Sequence, residues 1–228
     1  MEGLPADSPR HCPARTGSRR RRIVSITKLV LLRHGRTAWN DTRRLQGQAD
    51  VELDRVGLRQ AQAAAHALST REFSAVYSSN LQRAAVTARA VADVLGLDVS
   101  MDKRLQEINV GSWSGKTRSQ VEEEFPEYAA WYTEGRDFRR SASGETEADM
   151  LERATPAIDR ILKRHRGEEV LVVGHGFLFS KLLQHLLGLP AGARVLGSLG
   201  NAHWSEVAFA EQATWLVAHN VDTQLRDW

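Results

Sequence analysis

The chain has 228 residues, 42% of them hydrophobic and 26% charged, which suits one α/β domain with a sizeable core. No apolar run approaches the roughly 20 residues that span a bilayer, so no membrane partner is expected. One cysteine, Cys12, excludes an internal disulfide framework and fits a reducing, cytoplasmic compartment. The net charge of +3 suggests a nucleic-acid binder until it is located: Arg10, Arg15 and Arg19 to Arg22 precede the first apolar run, and the rest is slightly acidic.

Residues 1–22, polar and rich in arginine, proline and glycine, read as a disordered tail that carries no chemistry. Residues 23–228 read as one domain. A β-branched and aliphatic run at 26–32 is apolar on both faces, the mark of a strand covered by helices on both sides. Leu58, Ala61, Ala65 and Leu68 mark a helix face. Residues 75–77 form a weaker strand, and Leu81, Ala84, Ala88, Val91 and Leu95 mark a second helix, with Ser79 or Asn80 as its N-cap and Gly96 as its stop.

From about 111 to 144 the pattern weakens to two short helices, 117–125 and 127–133, and an arginine-rich loop. This is read as an insertion over the rim of the sheet. A helix follows at 150–165, where Pro156 predicts a kink or a restart. Val170 to Val173 is a second buried strand, followed directly by a helix at 177–187. Residues 202–209 and 215–219 complete the chain as two strands, a hairpin at the sheet edge. Strands alternating with helices predict a three-layer αβα sandwich around a mostly parallel sheet.

Two histidines occupy equivalent places. His34 follows the first strong strand in Arg33-His34-Gly35, and His175 follows the late one in Gly174-His175-Gly176. Residues just past the carboxyl ends of strands line the ligand crevice of an open α/β sheet. One such histidine is best read as structural; two, both in glycine-flanked turns, point to a site. Arg33 and Arg83 join them at the same edge, and guanidinium forks match phosphate oxygens. The helix N-termini near Arg83 and Gly176 are expected to add positive potential, making an anion site.

Arg33-His34-Gly35-Arg36-Thr37-Ala38-Trp39-Asn40 resembles the R-H-G-x-T-x-x-N signature of the histidine phosphatase superfamily, in its phosphoglycerate-mutase-like branch. Leu45-Gln46-Gly47 through Gly57, Ser78 through Ala88, Leu105-Gln106-Glu107 with Gly111 through Gly115, Gly144-Glu145-Thr146 and Val173 through Gly176 match further motifs in order. The resemblance implies that His34 attacks phosphorus and that Arg33, Arg83 and His175 hold the equatorial oxygens. It implies Glu107 as general acid and base. Asn40, Gln46, Gly47 and Gly176 would contact the substrate. Asn40 and Gln46 are equally readable as turn-stabilising amides, and Glu145 as a loop-fixing residue. The remaining histidines carry bland readings.

No metal and no cofactor is expected: the motif needs none, no H-E-x-x-H or paired C-x-x-C spacing is present, and the arginines would repel a cation. The stretch from Glu107 to Gly144 is shorter than the cover of the family's mutases, which favours water as acceptor. The wording at 102–107 and 200–204 is most similar to glucosyl-3-phosphoglycerate phosphatases, implying a small phosphorylated metabolite as substrate. Arg136, Arg139 and Arg140 offer a carboxylate contact or are a solvated basic loop. A mutase, a non-catalytic anion binder and a nucleic-acid binder are the alternatives, the last without an aromatic stacking surface. The apolar late strands permit a homodimer.

Overall fold

The computed structural model describes residues 25–190, 192–193 and 195–222. The expectations for the arginine-rich tail, and for Cys12 within it, lie outside those residues. Six strands form one sheet: β1 (Thr27–Arg33), β2 (Ala75–Ser78), β3 (Val99–Met101), β4 (Glu169–Gly174), β5 (Trp204–Ala210) and β6 (Ala213–Val221). Their order is β3-β2-β4-β1-β5-β6. The first four are parallel, while β5 runs antiparallel to β1 and turns back into β6 at the edge.

Burial on both faces explains why the central strands are almost continuously apolar. Leu29 and Leu31 of β1, with Val170 and Val172 of β4, enter one core beneath helices α6 (Glu147–Arg164) and α7 (Gly176–Leu186). Val30, Leu32, Leu171 and Val173 alternate with them and enter the other core. That second core is closed by α2 (Arg55–Leu68) and α3 (Gln82–Leu95). The three layers are those expected. The insertion forms α4 (Arg118–Glu124) and α5 (Tyr128–Glu134), after a short α1 (Ala38–Asp41) near the first histidine. Its rings join the α6 and α7 core, with Trp113 packed against Phe125, Tyr128 and Phe138.

Three local expectations are corrected, and one strand was not anticipated. Leu58 does not face the core: it is 46% exposed, and Ala64 fills the inward position beside Ala61, Ala65 and Leu68. Neither Ser79 nor Asn80 caps α3; Leu81 holds that place without a side-chain bond, and the Gln82 amide donates to Asp50 Oδ1 at 2.7 Å. Pro156 neither breaks nor restarts α6, because the carbonyl it leaves unpaired, that of Glu152, lies on an exposed turn. The three-residue β3 carries too short a pattern to be anticipated.

Candidate active site

Arg33 and Gly174 are register partners at the ends of β1 and β4, so the residues that follow them leave the sheet side by side. The rings of His34 and His175 lie 5.3 Å apart between centroids, edge to face. Gly35 lies against Gly57, whose carbonyl would meet any added Cβ at 2.4 Å. That close approach, together with the Gly35 amide bonded to Thr87 Oγ1, fixes the turn after His34.

His34 is 3% exposed, and its Nδ1 lies 2.7 Å from the Gly35 carbonyl. A carbonyl only accepts, so Nδ1 carries the proton and Nε2 keeps its lone pair. Burial, and then the charges of Arg33 and Arg83, push the ring's pKa well below the ordinary 6.5. It is therefore neutral at neutral pH. His175 is wholly buried, with Nε2 2.9 Å from Ser79 Oγ. Burial, then Arg83, His34 and Arg33, lower its pKa in the same way.

The two guanidiniums are held by carbonyls. Arg83, 1% exposed, donates to Ala49 O at 2.6 Å and to Gly47 O at 2.7 Å. Burial lowers its pKa to about 10 against the opposing pull of Glu107 and Asp50, which leaves it charged at neutral pH. Arg33 donates to Leu199 O at 2.6 Å, and its pKa is likewise lowered by burial. Its Nε passes so near Gly176 that a Cβ there would sit 3.0 Å away. Gly176 thus makes room for Arg33, and Gly47 anchors Arg83 through its carbonyl.

Among the described residues, four buried side-chain atoms have no partner: Arg33 Nε, Arg83 Nε, His175 Nδ1 and Gln46 Oε1. Each such atom costs on the order of 1–3 kcal/mol. All four belong to this one site, and three are nitrogens able to donate. A polar ligand rich in acceptor oxygens is what they fit.

Glu107 lines the same cavity and is held by backbone amides. Its Oε1 accepts from the amides of Ile108 and Leu178, both at 2.9 Å, and its Oε2 from the Phe177 amide at 3.0 Å. The first-turn amides of α7 are therefore occupied by Glu107, as the Gln82 amide of α3 is by Asp50. The amides of Phe177, Leu178 and Gln82 thus do not lie open to an anion, contrary to the reading from sequence. Each carboxylate oxygen can accept about two bonds, so Oε2 retains room for a proton. Asn40 bonds to the backbone amide and hydroxyl of Thr37 through Oδ1, leaving its NH2 for a ligand. Gln46 is buried.

These groups line a cavity of about 310 Å³ whose other wall is aromatic: Trp113, Tyr128, Tyr132, Phe138 and Phe177. His175 stands behind His34, and Gly176 borders an adjacent hollow that shares Arg33 and Glu107. Of the loop arginines, Arg136 and Arg139 are exposed and only Arg140 turns inward, and each has a carboxylate partner. Arg140 is 6% exposed and pairs with Asp137 and Glu147, Arg139 with Asp149, and Arg136 with Glu134. Arg44, in contrast, lines the cavity, donates to Gly115 O and has no carboxylate partner among the described residues. Among those residues no group of three His, Cys, Asp or Glu is placed to hold a metal ion.

The family model described as histidine phosphatase superfamily (branch 1) matches residues 29–222. The chain belongs to the histidine phosphatase superfamily. It is 38% identical over 196 residues to a glucosyl-3-phosphoglycerate phosphatase of Mycolicibacterium vanbaalenii, covering 81% of this chain and 85% of that one. It is 34% identical to the probable phosphoglycerate mutase GpmB of Yersinia pestis, covering 85% and 89% of the two chains. The structure of mycobacterial glucosyl-3-phosphoglycerate phosphatase with VO3 superimposes with a TM-score of 0.79 at 33% identity. That match covers 86% of this chain and 99% of that one. The superfamily and fold implied by the motifs are thus those of the chain.

Sequence reasoning missed several members of the site. Ser79 lay within a matched motif and was read as a helix cap, yet it holds His175. The Asn201 amide donates to the carbonyl of His34 at 3.1 Å and braces its turn. The aromatic wall gave no signal, since ring contacts between short helices leave no period in the sequence.

Proposed function

We propose that the protein is a phosphomonoester hydrolase that passes a phosphoryl group through His34 Nε2 to water. The observation that carries this reading is a neutral histidine with a free Nε2, set among two charged arginines and three unpartnered buried nitrogens. In the first step the Nε2 lone pair forms an N–P bond as the ester P–O bond breaks. The leaving oxygen keeps the bonding pair and takes a proton from Glu107 Oε2. In the second, Glu107 accepts a proton from water as its oxygen displaces the imidazole, releasing phosphate. Arg33, Arg83 and His175 hold the equatorial oxygens, and the fixed positive charge of the two arginines supplies what a metal would otherwise provide.

The substrate we favour, as the names of two relatives suggest, is glucosyl-3-phosphoglycerate, and we place its turnover in the cytoplasm. The cavity supports a metabolite of that class: its aromatic wall suits a sugar face, and Arg44 suits a carboxylate. The similarity to a probable mutase supports a second reading, in which a second hydroxyl takes the place of water. Phosphate release from glucosyl-3-phosphoglycerate, 3-phosphoglycerate and an aryl phosphate, with chelator present, tests both. Release that survives chelator and vanishes in His34→Ala is expected. Isomerisation of 3-phosphoglycerate without phosphate release would favour the mutase, and loss of activity with chelator would refute the mechanism.

A further inference from the structure

Arg153, on α6, lies outside the cavity, yet every one of its N–H groups is committed. Nε donates to Glu145 Oε1 at 2.7 Å, and Nη1 to the carbonyls of Arg104 and Gln106 at 2.8 and 2.9 Å. Nη2 donates to the carbonyl of Glu107 at 2.8 Å and to Glu145 Oε2 at 2.9 Å. Glu145 in turn accepts from the Asn109 amide at 2.8 Å through Oε2, and its own amide donates to Asn109 O at 2.7 Å. Residues 106–110 have no helix or strand of their own. The carbonyls on both sides of Glu107 are thus held by one guanidinium and the carboxylate that orients it.

We infer that Arg153, oriented by Glu145, is a positioning residue that holds Glu107 where it exchanges protons with the leaving oxygen and with water. This rests on the phosphatase reading. The carboxylate itself is fixed by the amides of α7, but its backbone is fixed from α6, so Glu107 spans two elements that share no strand. A planar fork with five donors meets three carbonyls and two carboxylate oxygens at once; the single nitrogen of lysine does not. Charge alone is the competing explanation, since the Arg153 cation also contributes to lowering the pKa of His175. A lysine keeps that charge and loses the geometry.

The test compares wild type, Arg153→Lys, Glu145→Gln and Glu107→Gln on two substrates. The alkyl ester 3-phosphoglycerate needs its leaving oxygen protonated, whereas 4-nitrophenyl phosphate expels a stable anion without help. Arg153→Lys should lower kcat/KM for 3-phosphoglycerate by about 10- to 100-fold, the loss typical of a misplaced catalytic group. Its pre-steady-state burst of nitrophenolate should stay within about twofold of wild type, the pattern also expected of Glu107→Gln. Glu145→Gln should show about a threefold loss with the same selectivity, the worth of one hydrogen bond, and it keeps the test decisive if the lysine variant does not fold. Equal losses on both substrates, or full alkyl turnover by Arg153→Lys, overturn the inference while leaving the phosphatase reading intact. Wild-type protein inert on both substrates and on glucosyl-3-phosphoglycerate refutes that reading, and the inference falls with it.

Discussion

At the phosphoryl end of the cavity, Arg33, His34 and His175 hang from the ends of adjacent parallel strands, and carbonyls accept from Arg33 Nη1 and His34 Nδ1. At the other end, Trp113, Tyr128 and Phe138 come from an insertion whose two helices have seven residues each and which packs ring on ring. Strand register leaves the first group little freedom. Short helices joined by side-chain packing are set by volume instead, so their shape changes with each substitution. In the mechanism we propose, the chemistry sits on the end that the backbone fixes, and the leaving group meets the end that side chains shape. Changes at the first end should therefore act on kcat, and changes at the second on selectivity and KM.

The largest effect expected is that of His34→Ala, with phosphate release falling on the order of 10⁶-fold, as when a covalent nucleophile is deleted. Single-turnover phosphate release checks it, and residual turnover within a hundredfold of wild type would place the nucleophile elsewhere. Next is Arg83→Gln, at about 10²- to 10³-fold in kcat, the scale of one lost oxyanion donor. A rise in KM at unchanged kcat would show instead that Arg83 binds ground and transition states alike. At the opposite end, Arg44→Gln should cost about tenfold in kcat/KM on 3-phosphoglycerate, through KM, since a charge-assisted bond contributes about 1.5–3 kcal/mol. Glycerol 3-phosphate, which lacks the carboxylate, should be unaffected; an equal loss on both would break the division between the ends.

The smallest effect concerns stability. Both site histidines have folded-state pKa values below the ordinary 6.5. Between those values and 6.5 the unfolded chain binds protons that the folded chain does not. Stability therefore falls as pH drops below 6.5, by at most about 1.4 kcal/mol per pH unit for each ring, and levels off above it. Denaturant melts of wild type and His34→Ala across that window should diverge by one ring's share. Parallel curves would show that His34 titrates normally.

Much of this was legible in the chain. The runs at 26–32 and 170–173 announce doubly buried strands because hydrophobic alternation is local. The glycine-flanked histidines that follow them announce a crevice because the ends of parallel strands coincide. The aromatic wall, the inward turn of Arg140 and the solvent-facing Leu58 were not legible, since each depends on which neighbour fills the space.

From the sequence alone came the αβα layering, the pairing of His34 with His175, and Arg33, Arg83 and Glu107 as their companions. Only the tertiary structure decided how those groups are partnered. Glu107 closes the N-terminus of α7, 70 residues away in sequence, so that end is not left for an anion. The Arg83 fork rests on Gly47 and Ala49, and Arg153 grips the segment that bears Glu107. Periodicity and turn chemistry act over a few residues and are written in order along the chain. A buried donor takes whichever acceptor the fold brings within 3 Å, and that distance exists only once the layers have closed.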